Sequence, residues 1–159
     1  KDIVFVSLDG KYEKKYKPSS EWRFHQDIYI KKQDAQAIVH THSTNATALS
    51  VHKKPIPAFH YMVALAGGND IKCAKYATYG TRELSKHILK ALNNRKACLI
   101  ANHGQIAFDN NLPDAFELAQ EVENLSLQYI TALKLGKPKI LSIKEMNKVL
   151  KKAKNYKKD

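Results

Sequence analysis

Cysteine is scarce in this chain of 159 residues: only Cys73 and Cys98, far apart and outside any CxxC spacing. That excludes a disulfide scaffold and a cysteine-based metal site. It leaves two buried, reduced thiols as the expectation, the pattern of a cytoplasmic protein. No apolar run approaches the roughly 20 residues of a membrane-spanning helix, and the residues from Lys1 onward do not form a signal peptide. Arginine occurs only as Arg23, Arg82 and Arg95, so a net charge of +12 rests almost wholly on lysine. Arginine is the usual reader of bases, and no nucleic-acid-binding motif occurs. The lysines at 11–17, Lys31-Lys32, Lys53-Lys54 and the C-terminal segment are read as solvated surface, and neither a nucleic-acid nor a membrane partner is expected. Internal repeats and an interdomain linker are also absent. One domain spanning residues 1–159 is the expectation.

What is present is a globular apolar fraction of 43%, distributed as short strands between helices. Ile3 to Val6 reads as a strand, closed by the turn signal Asp9-Gly10. Pro18-Ser19-Ser20-Glu21 opens a helix to about Lys32, with Ser20 as N-cap and Glu21 in the first turn. Ala37 to His42 reads as a strand, followed by a helix to Val51 capped by Ser43 or Thr44. His60 to Ala66 is a short helix stopped by Gly67-Gly68, and Ile71 to Tyr76 a strand. Gly80-Thr81 starts an amphipathic helix to about Asn94, with Leu84, Ile88 and Leu92 on one face. Ala97 to Ala101 is apolar throughout, hence a central strand, and Gln105 to Phe108 continues extended. Residues 112–135 form the longest helix, marked by Phe116, Ala119, Val122, Glu123 and Ile130. A lysine-rich helix runs from Ser142 to about Tyr156. The pattern predicts an α/β domain with a sheet covered by helices on both faces.

The chemistry concentrates at strand ends. In an extended strand, side chains two apart point the same way, so His40 and His42 aim at one spot with Thr41 turned aside. Two imidazoles on one rigid element are half of a zinc site; the bland alternative is a strand end fraying into a loop. His103 ends another apolar strand, and Glu21 sits at a helix start. If the four meet, three histidines and a carboxylate favour zinc over calcium or magnesium. Spacing alone does not bring them together.

Pro18-Ser19-Ser20-Glu21, His40-Thr41-His42 and Asn102-His103-Gly104 resemble the class II, zinc-dependent sugar-phosphate aldolases. The likeness extends through Trp22 to His25, Ile56 to Met62 and Tyr76 to Ser85, and covers the chain from Ile3 to Tyr156. It implies a three-layer α/β/α fold with a mainly antiparallel central sheet. It implies Zn2+ held by His40, His42, His103 and Glu21, with Glu21 also moving a proton. The implied reaction is aldol cleavage of a ketose 1-phosphate, foremost L-fuculose 1-phosphate, to dihydroxyacetone phosphate and L-lactaldehyde. Ser19 and Ser20 match phosphate-binding serines, while as plain sequence they are helix-capping residues. Tyr61 matches a tyrosine that enters the neighbouring subunit's site and protonates the aldehyde's oxygen; Tyr79 matches an aromatic lining the aldehyde pocket. Tyr156 matches a C-terminal tyrosine that closes over the site. All three also read as packing aromatics. The family forms a four-fold homotetramer with active sites between subunits. His25, one turn after Glu21, is expected to pack beside the site, and His52 and His87 to be exposed.

Related superfamily members cleave rhamnulose 1-phosphate, epimerise ribulose 5-phosphate or dehydrate methylthioribulose 1-phosphate. The epimerases tend to carry aspartate in place of Glu21 and an Asp-Tyr pair near His60-Tyr61, which favours an aldolase here. The family also has an N-terminal segment before the Ile3 strand, with loops that grip phosphate, and this sequence does not contain it. A zinc-binding fragment with impaired catalysis is the alternative that follows.

Overall fold

The computed structural model of the chain describes residues 3–156, with side chains through residue 153. Its centre is a four-stranded sheet in the order β1-β6-β5-β4, built from Ala37–Thr41 (β1), Cys73–Ala74 (β4), Ala97–Ile100 (β5) and Gly104–Asp109 (β6). β6 runs antiparallel to both β1 and β5, and β4 is parallel to β5. β1, β4 and β5 therefore all point the same way, and their C-terminal ends share one edge of the sheet. A separate two-stranded ribbon pairs Ile56–Pro57 (β2) with Asp70–Ile71 (β3).

Helices cover both faces. On one side lie Trp22–Lys31 (α1) and Arg82–Ala91 (α3). On the other lie Thr44–Ser50 (α2), Leu112–Lys134 (α4), Ile143–Tyr156 (α5) and a 3-10 helix at Tyr61–Ala66. The alternation of a pleated strand divides the core between the two. Ala97, Leu99 and Ala107 pack with Leu118, Val122 and Met146, whereas Cys98, Ile100, Ile106 and Phe108 pack with Phe24, Ile28, Leu84 and Ile88. β5 is buried along its whole length, as a fully apolar run requires, and β6 is buried along its length too, with Gln105 and Asp109 among its buried residues. The result is the expected three-layer α/β/α arrangement with a mainly antiparallel sheet.

Several local expectations are corrected. Ile3 to Val6 is not a strand: its only pairing is a bridge between Val6 and Tyr12, and Ile3 and Phe5 are 83% and 88% exposed. An apolar run makes a strand only where a neighbouring edge receives its N–H and C=O groups, and no described residue presents one. Ile71 to Tyr76 is two short strands in two different sheets, because Ile71 pairs with Ile56 while Cys73 pairs with Leu99. α3 stops at Ala91, and Asn94 turns the chain at φ +55°. On α4 the core face is Ala115, Leu118, Ala119, Val122, Leu125 and Ser126, and Phe116 is exposed. The thiols are free as expected; Cys98 is buried and Cys73 half-buried.

Candidate metal centre

Glu21 enters the site from an unusual helix start. Ser20 is not the N-cap and Glu21 is not in the first turn; Glu21 is itself the N-cap, at φ −102° and ψ 6°. The Ser19 hydroxyl accepts from the Glu21 N–H at 3.2 Å, and the Ser19 carbonyl accepts from the Trp22 N–H at 3.1 Å. This tight turn directs the Glu21 carboxylate toward the sheet edge instead of along the helix. Gly80 (φ +74°) closes over the same turn. A Cβ there would sit 2.8 Å from the Ser20 carbonyl oxygen, which ties the Tyr79-Gly80-Thr81 segment to the serine loop.

His40 lies on β1, opposite Ile106 of β6, and His42 follows just beyond the end of the strand. His103 sits in the three-residue turn joining β5 to β6, where Asn102 adopts φ +55°. Asparagine is among the few residues that tolerate the left-handed region. The turn is fastened to α2: the Ser50 carbonyl accepts from Asn102 N–H at 3.3 Å and the Ser50 hydroxyl from His103 N–H at 3.4 Å. Gly104 lets the two histidine-bearing segments touch, since a Cβ there would lie 2.3 Å from the Thr41 carbonyl oxygen and 3.1 Å from the His42 ring.

These elements bring Glu21, His40, His42 and His103 together. One ligand atom from each lies within 4.8 Å of all the others. His40 Nε2 is 3.1 Å from His42 Nε2 and 3.1 Å from Glu21 Oε2; His103 Nε2 is 2.9 Å from Glu21 Oε1. The three rings stand edge-to-face in pairs, with centroids 4.8 to 4.9 Å apart. His40 Nδ1 donates to the Gln105 carbonyl at 2.7 Å, so the neutral ring carries its lone pair on Nε2, facing the cluster. Burial lowers the pKa of His40, with the neighbouring His42 adding to the shift and Glu21 and Gln105 opposing it. Burial likewise lowers that of His103. Both rings are therefore neutral donors at pH 7.

The donor set fits a metal ion. Glu21 Oε1 is buried and, despite its 2.9 Å approach to His103 Nε2, accepts no hydrogen bond of acceptable angle among the described residues. Lone pairs aimed at a common point, with an unsatisfied buried carboxylate oxygen among them, suit a cation and cost energy without one.

The other candidates fall elsewhere. Ser19 and Ser20 are exposed beside Glu21. Tyr79 is 65% exposed, next to the Gly80 contact with Ser20. Tyr61 is 53% exposed, its ring tilted against that of His60 with centroids 4.8 Å apart. The side chain of Tyr156 lies outside those described. His25 stacks on Phe24 at 4.8 Å and contributes no ligand atom to the cluster. Burial, with the nearby His40, lowers its pKa to about 4. His52 is exposed, but His87 is half-buried, its Nδ1 hydrogen-bonding distance from the Lys75 carbonyl at 3.1 Å.

Sequence reading missed two residues that shape the site, Gln105 and Glu123. Gln105 is buried, and its Nε2 donates to Ser43 Oγ at 3.0 Å and to the Ala119 carbonyl at 2.9 Å. Glu123 caps α2 from α4. The available signal was an acid on the apolar stripe of a helix, since a carboxylate there must find donors.

The family profile described as the class II aldolase and adducin N-terminal domain matches residues 1–130. The chain belongs to the class II aldolase and adducin family. Within that family it falls with the class II aldolases, which are lyases and metal-dependent. It is 53% identical over 155 residues to a 5-methylthioribulose-1-phosphate/5-deoxyribulose-1-phosphate aldolase of Rhodospirillum rubrum, covering 98% of this chain and 70% of that protein. It is 52% identical over 155 residues to the L-fuculose phosphate aldolase of Escherichia coli K12, covering 97% of this chain and 72% of that protein. A solved L-fuculose 1-phosphate aldolase superposes with a TM-score of 0.91 at 42% identity, over 96% of this chain and 72% of that one. Among the described residues, no helix of this class II aldolase is long and apolar enough to cross a membrane.

Proposed function

We propose that this class II aldolase cleaves a ketose 1-phosphate between C3 and C4, releasing dihydroxyacetone phosphate and a short aldehyde. The observation that carries the reading is the convergence of His40, His42, His103 and Glu21 on one point. In the proposed site these four hold a divalent cation, and three imidazoles with one carboxylate favour zinc. Such an ion supplies Lewis acidity toward the ketose carbonyl.

The remaining work falls to the chain's own side chains. Cleavage needs the C4 hydroxyl to lose its proton, the C3–C4 electron pair to stay with C3, and C3 then to take up a proton. Glu21 is assigned the exchange at C3, since its carboxylate lies at the metal-binding point and has a buried, unbonded oxygen. Tyr61 is assigned the proton of the C4 hydroxyl, whose oxygen becomes the aldehyde oxygen: it takes that proton in cleavage and returns it in the reverse condensation. It stands 53% exposed beside His60 and is assigned to the site of a neighbouring copy, in a homo-oligomer with the family's four-fold symmetry. Ser19 and Ser20 take the phosphate, and Tyr79 borders the aldehyde. Two free thiols support a cytoplasmic setting.

The aldehyde half is the open choice. L-Fuculose 1-phosphate yields lactaldehyde, whereas 5-deoxyribulose 1-phosphate yields acetaldehyde and its methylthio analogue a methylthio-substituted acetaldehyde. The relatives named for these substrates are equally similar to this chain. All three substrates share the dihydroxyacetone phosphate half. The test is release of dihydroxyacetone phosphate by the zinc-loaded protein from each of the three. Release from at least one is expected, and its rate ranks the aldehyde halves. No release from any ketose 1-phosphate overturns the proposal.

A further inference from the structure

Ser43 follows the last histidine of the site and stands at the N-cap of α2, yet its hydroxyl makes no bond to the first turn of that helix. The cap comes from α4 instead. Glu123 Oε1 accepts from the Asn45 N–H at 2.8 Å and from Asn45 Nδ2 at 2.7 Å, and Oε2 accepts from the Ala46 N–H at 2.9 Å. Burial alone would raise the Glu123 pKa, but bonds from Ala46 and Asn45, aided by the Ser43 hydroxyl, more than offset it and hold the carboxyl below its usual value. Ser43 Oγ, released from local capping, accepts from Gln105 Nε2. Gln105 is also the register partner of Thr41 and holds His40 through its carbonyl.

His42 is the one exposed member of the four, and among the described residues the only hydrogen-bonding neighbour of its ring is His40. Its ring is not oriented by a carbonyl, as His40 is, so its place depends on the backbone on either side. Thr41 is held by β6, and Ser43 to Ala46 by Gln105 and Glu123. We propose that Glu123 is a positioning residue for His42, setting the metal-binding geometry from a helix that contributes no ligand. This rests on the metal-site reading above.

The test uses metal-free protein and Zn2+ affinity measured by competition with a chromophoric chelator. Glu123→Gln keeps the size but turns one acceptor into a donor facing N–H groups. It is expected to weaken zinc binding about tenfold, the lower end of what outer-shell changes cost. His42→Ala sets the scale for losing the ligand. The double variant is expected to bind no more weakly than His42→Ala alone, because the two act through one ring. Asn45→Ala, which removes one donor to Glu123 and leaves the carboxylate in place, is a second variant expected to weaken binding in the same direction. Wild-type affinity in both Glu123→Gln and Asn45→Ala, or additive losses in the double variant, overturns the proposal. Wild-type affinity in His42→Ala instead overturns the metal-site reading on which it rests.

Discussion

His40 and His42 present their Nε2 atoms to each other at 3.1 Å, while the Nδ1 of His40 is committed to the Gln105 carbonyl. Two ring nitrogens at that distance share at most one proton, and the rest of the site offers a carboxylate instead of further donors. A cation at this point relieves that crowding, so binding is coupled to stability. Saturating Zn2+ at about 100 times its dissociation constant is expected to add about 2.7 kcal/mol. For a chain of this size that raises the melting temperature by roughly 5 to 10 °C. In His103→Ala the rise should fall to less than half. Thermal denaturation with and without zinc measures both, and equal rises in the two proteins contradict the site.

Glu21→Gln separates holding the metal from moving the proton. Three imidazoles remain, so zinc content by elemental analysis should stay near that of the wild type. The turnover number should drop about 10²- to 10⁴-fold, the usual contribution of a positioned acid or base. A variant that keeps both zinc and normal turnover removes Glu21 from the chemistry.

Gly104→Ala tests the contact between the two histidine-bearing segments. The added methyl would meet the Thr41 backbone at 2.3 Å, which no rotamer change can relieve. The expected loss is more than about 3 kcal/mol, in the range reserved for backbone strain and overpacking. Urea unfolding of the metal-free protein reads this directly, and a loss below 1 kcal/mol would mean that β1 and the 102–104 turn separate easily.

His25 predicts an acid sensitivity of the metal-free fold. In the unfolded chain its imidazole titrates near 6.5, but in the folded chain only near 4. The unfolded state therefore binds the proton more readily, so stability is full above pH 6.5 and falls as the pH drops from 6.5 toward 4. The effect is at most about 3 kcal/mol, at 1.36 kcal/mol per pH unit. His25→Phe keeps an aromatic ring against Phe24 and should flatten the pH dependence of urea unfolding over that window. An unchanged slope assigns the acid sensitivity to other groups.

Local pattern alone was enough for much of this protein. The helices of 82–91 and 112–134, the buried strand Ala97–Ile100 and the donor types at the sheet edge follow from periodicity and from histidines at strand ends. The motifs of Glu21, His40, His42 and His103 pointed to one family. What local pattern could not decide was every choice made by a distant partner. Ile3 to Val6 has strand composition but finds no edge to pair with among the described residues. Ile71 to Tyr76 reads as one strand but is divided because its two halves meet different neighbours. Ser43 or Thr44 reads as the cap of α2, yet Glu123, 80 residues beyond Ser43, takes that role and leaves Ser43 to Gln105. Hydrogen-bond satisfaction is settled over the whole folded chain. The residue that finally occupies a donor or acceptor is the one tertiary packing brings within reach, and that reach does not appear in the order of the letters.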